Sequence, residues 1–350
     1  MNLDRRDFLK LGAVASAGAL AGALPAHGAE AAPPVNGAAG AKRPLIWGNL
    51  LHLSTNMWCD WDAPALKGAD SIYRPELRFD RSLWDDLLKK MEQAGMNLVV
   101  LDLGDGVKYE SHPEIAVKGA WSTAELRVEL RRLRSLGLEP IPKLNFSTTH
   151  DAWLGKYSRC VSTEIYYGVC RDLIAEVIGL FDRPRFFHLG MDEEDYGNQR
   201  DYEHVVIRQY DAWWRDFLFL VQEVEKGGPR AWIWSDYVWH HPELFYQKMP
   251  KSVVQSNWYY DAKFDAQDKR AKAFRELDEH GYDQIPTGSN WSSPKNFELL
   301  AAECRRSLGG GHLLGFLQTP WHATLEKNRQ RHLEAIEQVA RAIQAAKGGG

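Results

Sequence analysis

The chain has 350 residues, 44% hydrophobic, 26% charged and 11% aromatic, a balance that excludes global disorder, collagen-like repeats and a multispan membrane protein. Lys and Arg number 43 against 47 Asp and Glu, a net charge of -4, so no charge excess favours nucleic acid or another polyanion. The 14 Trp residues are about three times ordinary usage and imply surface built to contact flat, amphipathic groups.

At the N-terminus, Arg5 and Arg6 precede Phe8, Leu9 and Lys10, and residues 11–29 hold no Asp, Glu, Lys or Arg. This resembles a twin-arginine export signal, which implies the twin-arginine export machinery as a partner and a periplasmic or extracellular destination. The apolar stretch is rich in Ala and Gly and falls short of the roughly 20 strongly apolar residues of a bilayer span, so no permanent membrane anchor is expected. Small residues around Ala26, Ala29 and Ala31 offer cleavage sites. The expected division is a signal over 1–31, a flexible Pro/Gly/Ala-rich linker over 32–44, one folded domain over 45–346 and a disordered tail over 347–350.

Short apolar runs ending in polar or aromatic residues occur at 45–53, 96–103, 139–145, 185–190, 230–236, 252–257, 283–289 and 312–318. Amphipathic helical stripes fall at 81–91, 123–136, 167–181, 212–225, 270–280, 296–308 and 325–346. A strand–helix unit repeated eight times over about 300 residues predicts an α/β fold, a single (β/α)8 TIM barrel. An open doubly wound sheet would place a glycine-rich phosphate turn after an early strand, and none is present. Cys59, Cys160, Cys170 and Cys304 have no C-x-x-C spacing, so neither a zinc site nor a disulfide framework is expected. One Cys160–Cys170 bridge and buried free thiols both remain open. No cofactor or metal is expected.

Catalytic groups of a barrel lie where its strands end. The fourth run passes from Phe186, Phe187 and His188 into Asp192, Glu193, Glu194 and Asp195. Alternation puts Phe186, His188, Gly190 and Asp192 on one face, with Phe187, Leu189, Met191 and Glu193 on the other. Glu193 joins Asp192 over the barrel mouth only if the chain leaves strand geometry there. Two adjacent carboxyls in different surroundings can then divide the work, one held protonated as an acid and one ionised. The plain alternative is a solvated acidic turn that caps the next helix.

The segment Phe187-His188-Leu189-Gly190-Met191-Asp192-Glu193 resembles the H-x-G-G-D-E signature of glycoside hydrolase family 20, the β-N-acetylhexosaminidases, with Met191 in place of the second glycine. The resemblance implies an exported glycoside hydrolase that acts on a terminal, 2-acetamido sugar as its carbohydrate substrate. Glu193 would be the general acid/base, and Asp192 would orient the substrate's acetamido group, whose carbonyl oxygen is the nucleophile. The chain departs from the family twice: the first strand ends without an Arg, and the Tyr-x-Asp spelling at Tyr259 to Asp261 follows the sixth strand, not the seventh.

Trp234, Trp258, Trp291 and Trp321 follow the fifth to eighth strands, where indoles can stack on pyranose C–H faces. His188, Asn145, Asp236, Tyr259 and Gln318 are the candidate polar partners for the sugar. Two other functions fit the same residues: a non-catalytic carbohydrate-binding barrel, and a metal-dependent sugar isomerase or epimerase using Asp102, His188, Asp192 and Glu193 as ligands.

Overall fold

Each of the eight apolar runs forms a parallel strand: β1 (Ile46–His52), β2 (Leu98–Asp102), β3 (Glu139–Lys143), β4 (Phe186–His188), β5 (Arg230–Trp234), β6 (Val254–Ser256), β7 (Thr287–Gly288) and β8 (Gly315–Gln318). The computed structural model describes residues 44–309 and 311–348. The export signal, all of the linker but Pro44, and residues 349–350 lie outside the described residues. In hydrogen-bonded order the sheet runs β6-β5-β4-β3-β2-β1-β8-β7. Parallel bridges between Gln255 and Gln284 and between Trp258 and Thr287 close the ring. The fold is thus a single (β/α)8 barrel.

Among the described residues, eight α-helices of seven or more residues surround it: α1 (Arg81–Gln93), α2 (Thr123–Ser135), α3 (Glu164–Leu180), α4 (Asp211–Gly227), α5 (Pro242–Lys248), α6 (Lys269–Glu279), α7 (Asn296–Ser307) and α8 (Arg329–Gly348). Seven coincide with the amphipathic stripes. The eighth, α5, is missed because its seven residues bury only Phe245 and carry too little periodicity to register. Helix α8 runs to Gly348, so Lys347 and Gly348 of the expected tail are helical. All four cysteines are free, which removes the Cys160–Cys170 bridge.

Alternation along the strands makes two cores. Ile46, Leu50, Val100, Ile141, Phe186 and Leu317 pack inside the barrel. Leu51, Val99, Phe187, Ile233 and Phe316 point outward against the helices. Toward the C-terminal ends the inward positions turn polar, and one rung of paired residues runs His52, Asp102, Lys143, His188. Lys143 Nζ lies 2.5 Å from Asp102 Oδ2, and His52 Nδ1 lies 3.3 Å from the same oxygen. Burial pushes the Asp102 carboxyl up, but Lys143 and His52 outweigh it and hold the group ionised. His52 is held below its ordinary value, chiefly by burial.

Removing one partner of a buried ion pair strands the other, at a cost of about 3–5 kcal/mol. Lys143→Met should therefore lower stability by about that amount in urea unfolding, and adding Asp102→Asn should recover much of it. An unchanged midpoint for the single variant would show that the pair is not buried as described.

Candidate active site

The chain leaves β4 abruptly. Gly190, Met191 and Glu193 all have left-handed backbones, with φ of 73°, 74° and 55°. Only glycine fits at 190: an added Cβ would lie 1.8 Å from Asn145 Oδ1. Met191 occupies a conformation that disfavours a side chain by about 1–2 kcal/mol. Its side chain is buried in the outer core, which offsets that strain. The break cancels the two-residue alternation, and Asp192 and Glu193 both reach the barrel mouth.

The four acids then separate into three roles. Asp192 and Glu193 line the cavity. Glu194 turns away to Arg208, whose Nη2 lies 2.5 Å from its Oε1. Asp195 caps a short helical turn by accepting from the Asn198 backbone N–H at 3.1 Å. The capping alternative is therefore correct for Asp195 alone.

The loop after β3 laces this segment down. Asn145 donates to Asp192 Oδ1 at 2.9 Å while its own Oδ1 accepts from the backbone N–H groups of Ser147 and Met191. Ser147 Oγ donates to the Asp192 carbonyl, and Thr149 Oγ1 donates to the Glu193 carbonyl at 2.6 Å. His150 completes the arrangement. Its Nδ1 lies 3.2 Å from Asp192 Oδ1 and its Nε2 lies 3.7 Å from Glu193 Oε2, so one imidazole faces both acids.

These contacts split the two carboxyls. Burial would raise Asp192, but His150, Lys143 and Asn145 prevail and hold it down at about 2. Glu193 is raised, first by burial and then by the charge of Asp192, against the opposing pull of His150. Burial lowers His150, yet the two acids outweigh it and favour the imidazolium. A third carboxyl, Asp236, accepts from Trp258 Nε1 at 2.6 Å. Burial, with the charges of Asp192 and Glu193, pushes it well above the carboxylate range.

The cavity above these groups has a volume of about 790 Å³, within the range of about 300–1,000 Å³ typical of small-molecule sites. Its walls include Trp58, Trp234, Trp258, Tyr260, Trp291 and Trp321. Trp258 stacks on Tyr260 with centroids 4.9 Å apart, and Trp321 Nε1 donates to the Tyr260 hydroxyl at 3.1 Å. Trp291 stands at the rim, 59% exposed.

Of the residues expected to bind a sugar, Trp234, Trp258, Trp291 and Trp321 line the cavity. Asn145, His188 and Asp236 do not line it; they support groups that do. His188 is fully buried with its ring 4.3 Å from that of Trp234, and its Nδ1 accepts from the Gly190 N–H. Burial first, and Lys143 second, keep it neutral. Two expectations fail on parity. Gln318 alternates with the inward Leu317, so it faces α8 and donates to the Ala335 carbonyl at 3.5 Å. Tyr259 points away between the inward Trp258 and Tyr260, packs on Phe264, and bonds the loop at Lys263 and Asp265. Asp261 pairs with Arg270 at 2.6 Å, so the Tyr-x-Asp spelling does not form a pair in the cavity.

The ligand set of the alternative isomerase or epimerase reading does not assemble, because Asp102 is occupied by Lys143 and His188 supports Trp234. His150, Asp192 and Glu193 do hold ligand atoms within 4.8 Å of one another. The acids take opposite ring nitrogens, however, which suits an imidazolium shared between them better than a histidine ligating one metal. His150 and Tyr260 are site residues missed as candidates, although His150 lies on the loop leaving β3.

A barrel with an aromatic cavity over an adjacent carboxyl pair belongs, by architecture, with barrels that carry their sites at the strand ends. Among solved structures, this chain is similar to the family 20 exo-β-N-acetylglucosaminidase of Vibrio harveyi, at 13% identity and TM-score 0.58, over 88% of this chain and 57% of that one. The β-N-acetylhexosaminidase of Bacteroides fragilis is 14% identical, TM-score 0.58, over 84% and 65%. The family 20 β-N-acetylhexosaminidase of Streptomyces coelicolor is 13% identical, TM-score 0.54, over 83% and 64%. The match thus spans less than two thirds of each of these chains, and at such identity the likeness shows the barrel fold. No curated protein sequence matches the chain. Residues 2–22 match the twin-arginine translocation pathway signal sequence, so the chain carries an export signal. No helix among the described residues is long and apolar enough to cross a membrane.

Proposed function

We propose that the protein is an exported glycoside hydrolase that removes a terminal 2-acetamido sugar by substrate-assisted catalysis. What supports this reading is the placement of two adjacent carboxyls at opposite nitrogens of His150, with Asp192 held down and Glu193 raised from their ordinary values. Glu193, raised from its ordinary value first by desolvation, donates its proton to the glycosidic oxygen as the bond to C1 breaks. Asp192, ionised, accepts the acetamido N–H and stabilises positive charge as the amide oxygen attacks C1. The Glu193 carboxylate then takes a proton from water, which opens the cyclic intermediate and restores the acid. Trp234, Trp258 and Trp321 are the indoles available to enclose the 2-substituent, with the Tyr260 hydroxyl as a polar partner.

Paired chromogenic β-glycosides, one 2-acetamido and one 2-hydroxy, test the reading. Hydrolysis of the first with little of the second supports it; equal turnover of both removes the assisting role of the amide.

The same electrostatics set the pH dependence. The active form has Asp192 ionised and Glu193 protonated. Activity should therefore fall as pH drops through about 2, where Asp192 takes a proton. It should fall again as pH rises through the Glu193 value, which lies above the ordinary 4.5. A kcat/KM profile with its basic limb at or below 4.5 would contradict the assignment of Glu193.

A further inference from the structure

One polar edge of the cavity is unused by this chemistry. Asp70, on the loop after β1, and His322, Lys327 and Asn328, on the loop after β8, line it together. Asp70 Oδ1 lies 2.6 Å from Lys327 Nζ. Its Oδ2 accepts from Asn328 Nδ2 at 2.7 Å and from the Ala323 backbone N–H at 3.3 Å. The Asp70 side chain is only 14% exposed, while Lys327 remains 54% exposed. A partly exposed Lys–Asp pair adds little to stability. What it does is hold a long, otherwise mobile side chain in one place, with ammonium protons left over for a ligand.

We propose that Lys327, positioned by Asp70, hydrogen-bonds a ring hydroxyl of the sugar in the cavity and so discriminates among terminal sugars that differ at that carbon. The inference rests on the glycosidase reading. A neutral hydroxyl suits the site better than an anionic substituent. Asp70 already balances the Lys327 charge at 2.6 Å. His322, 3.8 Å from Asp70 and with its ring tilted 30° to that of Trp291 at 5.6 Å, would brace the edge from the side of the rim. The bond is charge-assisted and should contribute about ten- to a hundredfold in kcat/KM.

The test pairs wild type and Lys327→Met with an aryl 2-acetamido-2-deoxy-β-glucoside and its 3-, 4- and 6-deoxy analogues. On the parent substrate the variant should lose about ten- to a hundredfold, mainly through KM. For one deoxy analogue the two proteins should perform alike, because the bond is absent from both. Asp70→Asn should show a smaller loss of the same kind, and Lys327→Arg should restore part of it. Melting temperatures report any purely structural effect. An equal deoxy penalty in both proteins at every position, or a loss that only follows a lowered melting temperature, overturns the proposal. If wild type turns over none of these glycosides, the glycosidase reading has failed by itself. The same comparison run on binding of 2-acetamido-2-deoxyglucose and its deoxy forms by calorimetry then decides the role of Lys327.

Discussion

Glu193→Gln should lower kcat about 10²–10⁴-fold on glycosides with poor leaving groups and far less on activated aryl glycosides. The amide keeps the shape of the side chain but has no proton of suitable acidity. A leaving group that departs as a stable phenolate scarcely needs one. The Glu193 side chain is 36% exposed, so the variant should leave stability close to that of wild type. The basic limb of the pH profile should vanish with it. Rates plotted against leaving-group acidity separate the alternatives. Equal losses across the series would mean that Glu193 acts in binding or positioning, not as the acid.

Asp192→Asn should reduce turnover of 2-acetamido substrates about 10²–10³-fold, the usual size of a lost charge-stabilising contact. The carboxylate is ionised because His150, Lys143 and Asn145 together outweigh burial. The asparagine can keep a hydrogen bond with Asn145 but brings no negative charge to a cyclising amide or to His150. Without that charge His150 loses its nearer anion, 3.2 Å away, so its imidazolium should be less favoured in the variant. NMR titration of His150 would show a lower pKa, and steady-state rates would show the loss in kcat. Unaltered rates on the acetamido substrate would remove Asp192 from the chemistry.

The barrel was legible because each strand is an apolar run ending in polar residues, and because seven of the helices carry full amphipathic stripes. The position of Asp192 and Glu193 followed from the acidic run at the end of the fourth strand. Their convergence was legible only as a condition, since left-handed geometry at Met191, a residue that disfavours it, leaves no mark in composition. The errors at Tyr259 and Gln318 have one cause. A one-residue uncertainty in where alternation starts moves a side chain from the cavity to the outer core. His150 and Lys327 escaped notice for a different reason: both lie on loops, and long-range contacts with Asp192 and Asp70 give them their place.

A thiazoline that mimics the cyclised 2-acetamido intermediate tests the proposed mechanism most directly, through its inhibition constant on the wild-type enzyme. The mechanism predicts competitive inhibition at least 10²-fold tighter than binding of the free sugar product, as expected for a mimic of a high-energy intermediate. Inhibition no stronger than that of the free sugar, in an enzyme that hydrolyses the matching glycoside, would contradict it.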